Sequence, residues 1–247
     1  MRYVLIIFLF VNTIVSAEKK SYALTDIRNT RKFTLTIEED LVDEVMKLVL
    51  YEKKKVIDSL QVPYVKYITN ITESQRSFLK VEFRRGGSSG VKMRFTSIFC
   101  AADSKIVPSL TQISTIYSHI TKTFIPKYDS IKGVKYHEDY SIYYNLLKSG
   151  REYSVKVNDS YFLKSIFESD INEKWTNRLN LKFDKEQFIF YSEKRKVKGH
   201  FQIYYLNDSE ESKELNGEFW AIEMKRFTYL WINSRWFYIA RNKLNEI

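Results

Sequence analysis

The stretch from Val197 to Arg241, VKGHFQIYYLNDSEESKELNGEFWAIEMKRFTYLWINSRWFYIAR, constrains the fold more than any other part of this chain, and it holds three of the four tryptophans. Phe201, Ile203 and Tyr205 alternate with His200, Gln202 and Tyr204; Trp220, Ile222 and Met224 alternate with Ala221, Glu223 and Lys225. Period two marks a strand, because successive side chains there point to opposite faces. The polar run from Asn207 to Glu214 suits a hairpin loop, and Asn233-Ser234 a turn into Trp236, Phe237, Tyr238 and Ile239. The block therefore reads as three antiparallel strands. The last is apolar on both faces, which places it centrally or under a helix. Burying one large aromatic contributes about 1.5–3 kcal/mol, so several can hold a sheet without a disulfide or metal.

The chain has 247 residues with seven glycines and three prolines, which argues against disorder and against a collagen-like or many-turned β architecture. MRYVLIIFLFVNTIVSA has the form of a secretory leader: Arg2, an apolar core from Val4 to Val11, and a small-residue site at Val15-Ser16-Ala17. That predicts cleavage near Ala17 and a secreted, extracellular product. Net charge is +10, one unit lower without Arg2. Lys53-Lys54-Lys55, Arg84-Arg85 and Lys194-Arg195-Lys196 could attract an anionic polysaccharide or a membrane surface, or form only a solvated surface. The leader argues against nucleic acid. Cys100 stands alone, so it reads as a small buried hydrophobe.

Thr36-Ile37-Glu38-Glu39 fits a capping box. Leu41, Val45, Val49, Val56 and Leu60, widened by Val42, Met46 and Ile57, predict an amphipathic helix ended by Pro63. Phe78–Phe99 is a hairpin around Gly86-Gly87-Ser88-Ser89-Gly90. Leu110, Ile113, Ile116, Tyr117, Ile120 and Phe124 predict a second helix closed by Pro126. The polar segment from Asp129 to His137 marks a boundary, giving a leader 1–17, an N-terminal α+β domain 18–133 and a C-terminal α+β domain 134–247. In the second half, Ile142, Tyr143, Leu146 and Leu147 predict a short helix with Gly150 after it. Tyr153 to Val157 reads as a strand. Asp159 or Ser160 caps another helix holding Tyr161, Phe162, Ile166 and Phe167. Strands follow from Trp175 to Phe183 and from Gln187 to Tyr191, turning at Asp184-Lys185-Glu186.

With helices before long antiparallel strands, the step Phe167-Glu168-Ser169-Asp170-Ile171, and a final aromatic strand Arg235-Trp236-Phe237-Tyr238-Ile239, the second half resembles the NTF2-like superfamily (SnoaL, cystatin-like cone). The resemblance implies an α+β fold: helices packed on curved antiparallel sheets, in two NTF2-like or cystatin-like units if the first half repeats the pattern. It also implies a homodimer, and a hydrolase or isomerase in the enzymatic members, whose acidic and histidine pocket residues have no match here. Secreted members without known activity are the nearer analogy.

No motif carries catalysis. His119, His137 and His200 have no liganding spacing to one another or to cysteine, and neither a phosphate loop nor a nucleophile elbow is present. No catalytic residue, metal or cofactor is assigned. Asn70-Ile71-Thr72, Asn158-Asp159-Ser160 and Asn207-Asp208-Ser209 are N-glycan acceptor triplets if the cell is a eukaryote, expected in exposed loops. The functional expectation is a secreted, basic, non-enzymatic binding or interaction protein. A sheet concavity with Tyr204, Trp220, Trp236 and Tyr238 would take a small apolar ligand or a protein, unless those rings are core. The alternatives are an NTF2-like hydrolase or isomerase, and a basic effector on anionic polysaccharide or lipid.

Overall fold

The computed structural model describes residues 20–40, 45–63, 67–74, 76–85, 92–120, 136–149, 152–165, 172–192, 196–205 and 212–240. They form strands and the turns between them, with no helix among the described residues. The α+β expectation is overturned, and with it the expectation against a many-turned β architecture: this part of the chain is all-β, and non-glycine residues such as Lys53, Asn233 and Ser234 take the left-handed turn positions. The leader and the Phe167–Ile171 step lie outside the described residues.

A four-stranded sheet runs in order β1 (Lys20–Thr25), β2 (Lys32–Asp40), β3 (Val45–Glu52), β4 (Lys55–Pro63). The first predicted helix is the β3–β4 hairpin, and the lysine run is its turn, with Lys53 at φ 58°. The capping box lies within β2, where Phe33, Leu35 and Ile37 are buried at every second position. Met46, Leu48 and Leu50 do the same in β3. Val49 is buried on the opposite side, and β3 apolar on both faces mimics a helical stripe.

An eight-stranded antiparallel sheet contains β5 (Tyr67–Ser74), β6 (Phe78–Arg85), β7 (Lys92–Ala102), β8 (Lys105–Ile120), β9 (Tyr136–Ser149), β10 (Glu152–Ser165), β11 (Asn172–Asp184) and β12 (Ile189–Tyr191), in sequence order across the sheet. The predicted hairpin is β6–β7, and the turn at Asp184 is present, its carboxylate accepting from the Glu186 and Gln187 amides. The other three helices are strands. The second lies in β8. There Phe95 opposes Ile113 and Met93 opposes Ile116, so Ser114 is an extra residue, a bulge. An inserted residue puts positions three apart on one face, which counterfeits a helical spacing. The helices at Ile142–Leu147 and at Tyr161 are parts of β9 and β10, whose registers continue unbroken through Tyr161↔Tyr140 and Val155↔Leu146. This sheet joins the two segments expected as separate domains, through the pairing of β8 with β9.

The aromatic block closes into a barrel of four strands, β13 (Lys196–Tyr205), β14 (Ser212–Glu223), β15 (Phe227–Ile232) and β16 (Arg235–Ala240). Three strands are expected in this block and four are found; the additional one, β15, is buried along its whole length. Asn233 and Ser234 turn with φ of 47° and 62°, as a tight hairpin with two left-handed positions requires. Phe201, Ile203, Leu230, Ile232, Phe237 and Ile239 fill the barrel. The other face of the same strands, with Tyr229, Trp231 and Trp236, joins the main core shared by the two sheets. Two apolar faces therefore signify a filled barrel packed on a sheet, not a strand under a helix.

β8 is the spine. Beyond Ser141 the β9 strand leaves it, and the free backbone groups of β8 are taken by side chains from elsewhere. Ile106 N donates to Asp58 Oδ2 at 2.7 Å. Ile113 N donates to Tyr229 Oη at 3.2 Å, and the Trp236 indole donates to the Pro108 carbonyl at 2.8 Å. A buried backbone group must find a partner, so these bonds fix both outer layers against one strand.

Candidate functional site

In β9, β10 and β11 the register puts Tyr143 opposite Asn158 and Asn158 opposite Arg178. The adjacent rows are Asn145, Lys156, Asn180 and Ser141, Ser160, Thr176. Alternation sends all of these to the outward face, while Val155, Val157, Tyr161 and Leu163 face the core. Tyr143, Lys156, Asn158, Ser160, Arg178 and Asn180 line a concavity of about 740 Å³, whose wall also includes Asp159 and Asn177. Tyr143 stands at its margin, 70% exposed. Ser141 and Ser160 share a hydrogen bond of 2.8 Å between hydroxyls. Lys156, Lys164, Lys174 and Arg178 are exposed on this face, with no ion-pair partner among the described residues. Four residues further along β10 lies a second aromatic group: Phe162, with His137 and Tyr117 meeting edge to face at 4.6 Å.

The aromatics expected to bind an apolar ligand sit elsewhere. Trp236 is 5% exposed and part of the main core. Tyr204 stacks on Tyr238 with ring centroids 5.4 Å apart. Trp220 meets Tyr191 edge-on and lies under the Lys196 ammonium. Trp220 and Trp236 thus join the barrel to its surroundings, and Tyr204 stacks within it on the neighbouring strand.

Of the acceptor triplets, Asn158 is exposed in the middle of β10, on the candidate face and not in a loop. Asn70 lies within β5, and Asn207 is outside the described residues. His200 is exposed, 3.3 Å from Glu214. Cys100 is fully buried and accepts from Ser109 Oγ at 3.1 Å; burial pushes its thiol up to about 12. A nucleophile needs a thiolate, so a buried thiol held in its neutral form is unsuited to nucleophilic chemistry.

Sequence reasoning missed the inward side of the same strands. Asp159 is 1% exposed, and neither carboxylate oxygen has a hydrogen-bond partner. Burial pushes the carboxyl up to about 6, partly offset by its own backbone amide and the Asn177 amide, both too loosely placed to make full hydrogen bonds, and by the Lys225 charge. Around it lie Tyr140, Tyr144 and Tyr229, whose hydroxyls burial pushes well above their usual range and the Asp159 charge raises further. Arg226 bridges to buried Glu138 at 3.1 Å. The only sequence signal was an aspartate at a core position of the alternation, and the helix reading hid it. A perturbed carboxyl is a candidate for chemistry; Asp159 lies in the wall of the concavity yet exposes only 1% of its surface. Among the described residues no group of three or more His, Cys, Asp or Glu could hold a metal ion. No family model matches the chain, and neither a curated protein nor a solved structure does.

Proposed function

We propose that this is a binding protein whose ligand face is the outward side of β9, β10 and β11, and that the ligand is polyanionic. The observation that carries this is the set of Lys156, Lys164, Lys174 and Arg178, exposed on adjacent strands and free of ion pairs among the described residues. Strands fix their spacing, so their fields add over one surface and attract a chain of negative charges. Cations already paired with carboxylates would have to lose those partners first. The net charge of +10 reinforces the attraction at longer range. A secretory leader would deliver such a face to a compartment rich in anionic polysaccharide.

The test is retention on a heparin column in a rising salt gradient. Surface attraction is screened within about 10 Å at 0.1 M salt, so elution should come at a defined salt concentration. Lys156→Ser combined with Arg178→Ser should elute markedly earlier. Equal retention of wild type and double variant removes the proposal.

A further inference from the structure

The outward face carries more than charge, and resting on the reading above we propose that its ligand is an anionic glycan chain lying along β10, with sugar rings stacked on Tyr143 and on the Phe162 group. Tyr143 is 70% exposed, the most open of the large hydrophobic side chains among the described residues. A ring held in water on a rigid strand costs hydration without packing gain, and it offers a flat apolar plate. Phe162 is half-buried beside His137 at 6.4 Å between centroids. Asn158, the cross-strand neighbour of Tyr143, is four residues from Phe162, which at about 3.4 Å per residue puts the two aromatic stations roughly 14 Å apart.

Between them runs the row Ser141, Ser160, Thr176, and beside Tyr143 stand Asn158 and, two residues along β9, Asn145. Hydroxyls and amides both donate and accept, as a sugar hydroxyl does, whereas the oxygens of a phosphate chain only accept. Arg178 and Lys174 flank the same path on β11, placed to meet sulfate or carboxylate groups along one edge of the chain. A lipid surface would need apolar side chains projecting beyond the cations; here the exposed row is polar. A single-stranded nucleic acid could also stack and neutralise charge, but hydroxyl and amide rows add little to that binding.

The mature chain would be titrated, at equal ligand charge and fixed salt, with a heparin decasaccharide, inorganic polyphosphate, a thymidine oligonucleotide, and vesicles of phosphatidylserine in phosphatidylcholine. The decasaccharide should bind tightest. Tyr143→Ala should weaken it about tenfold and leave polyphosphate unchanged, while Tyr143→Phe retains binding. Lys156→Ser with Arg178→Ser should weaken both. If Tyr143→Ala changes nothing, or lowers polyphosphate equally, the stacking inference fails while the basic-face reading stands. Tighter binding to the oligonucleotide or the vesicles also overturns it. Binding to none of the probes removes both proposals.

Discussion

The indole of Trp236 donates to the carbonyl of Pro108 at 2.8 Å, joining two residues 128 positions apart in sequence. Pro108 sits where Ser109 forms an extra residue in β8, opposite the step from Ile98 to Phe99. A bulge leaves backbone groups outside the ladder. Here the barrel supplies the missing donor, and Tyr229 serves Ile113 at the second bulge in the same way. Both irregularities of β8 are thus docking points for the barrel.

Trp236→Phe keeps an apolar ring but leaves the Pro108 carbonyl without its donor. An unsatisfied buried polar group costs about 1–3 kcal/mol. Urea denaturation should show a midpoint lowered accordingly, with an unchanged slope. An unchanged midpoint would mean that the bond adds nothing to the joint.

Asp159 makes stability depend on pH in an unusual direction. Its folded value is raised from 3.8 to about 6 by burial, so between those values the folded state holds the proton more tightly than the unfolded state. This group's contribution is fully present below pH 3.8, falls as pH rises through about 6, and is flat above. At about 1.36 kcal/mol per unit the loss is at most about 3 kcal/mol. Asp159→Asn should abolish that slope and raise the melting temperature at pH 7. A slope that persists in the variant assigns it to another group.

Gly199 and Gly217 face each other across β13 and β14. A Cβ on Gly199 would lie 3.1 Å from the Phe201 ring, and one on Gly217 2.9 Å from the Phe219 ring. The glycines make room for rings folded back over them at the barrel wall. Gly217→Val must displace Phe219 and hold a β-branched residue at a φ of 155°, which favours glycine, at a combined cost of about 1–3 kcal/mol or more. The near-ultraviolet circular dichroism of the aromatic block should weaken; a spectrum and midpoint like wild type would show that the ring moves freely.

Cys100, fully buried with its thiol pushed up to about 12, should resist alkylation at pH 8 in the native protein. Its modification by iodoacetamide should track urea unfolding, and rapid labelling of the native protein would contradict its burial.

The strand character of the C-terminal block, the β6–β7 hairpin, the Asp184 turn and the burial of Cys100 were all legible in the sequence, because each depends on neighbours a few residues away. Alternation and turn chemistry are local properties. Whether Val45 to Pro63 was helix or hairpin was not local. The same apolar spacing serves either, and burial of both Leu48 and Val49 is set by layers from distant parts of the chain. Nor did the sequence reveal that Ser109 and Ser114 are bulges, since a bulge exists only relative to a partner strand. The candidate face followed the same logic. The lysines were visible, but only cross-strand register gathered Lys156, Arg178 and Tyr143 into one surface, and only strand alternation in place of a helix turned Asp159 to the buried side.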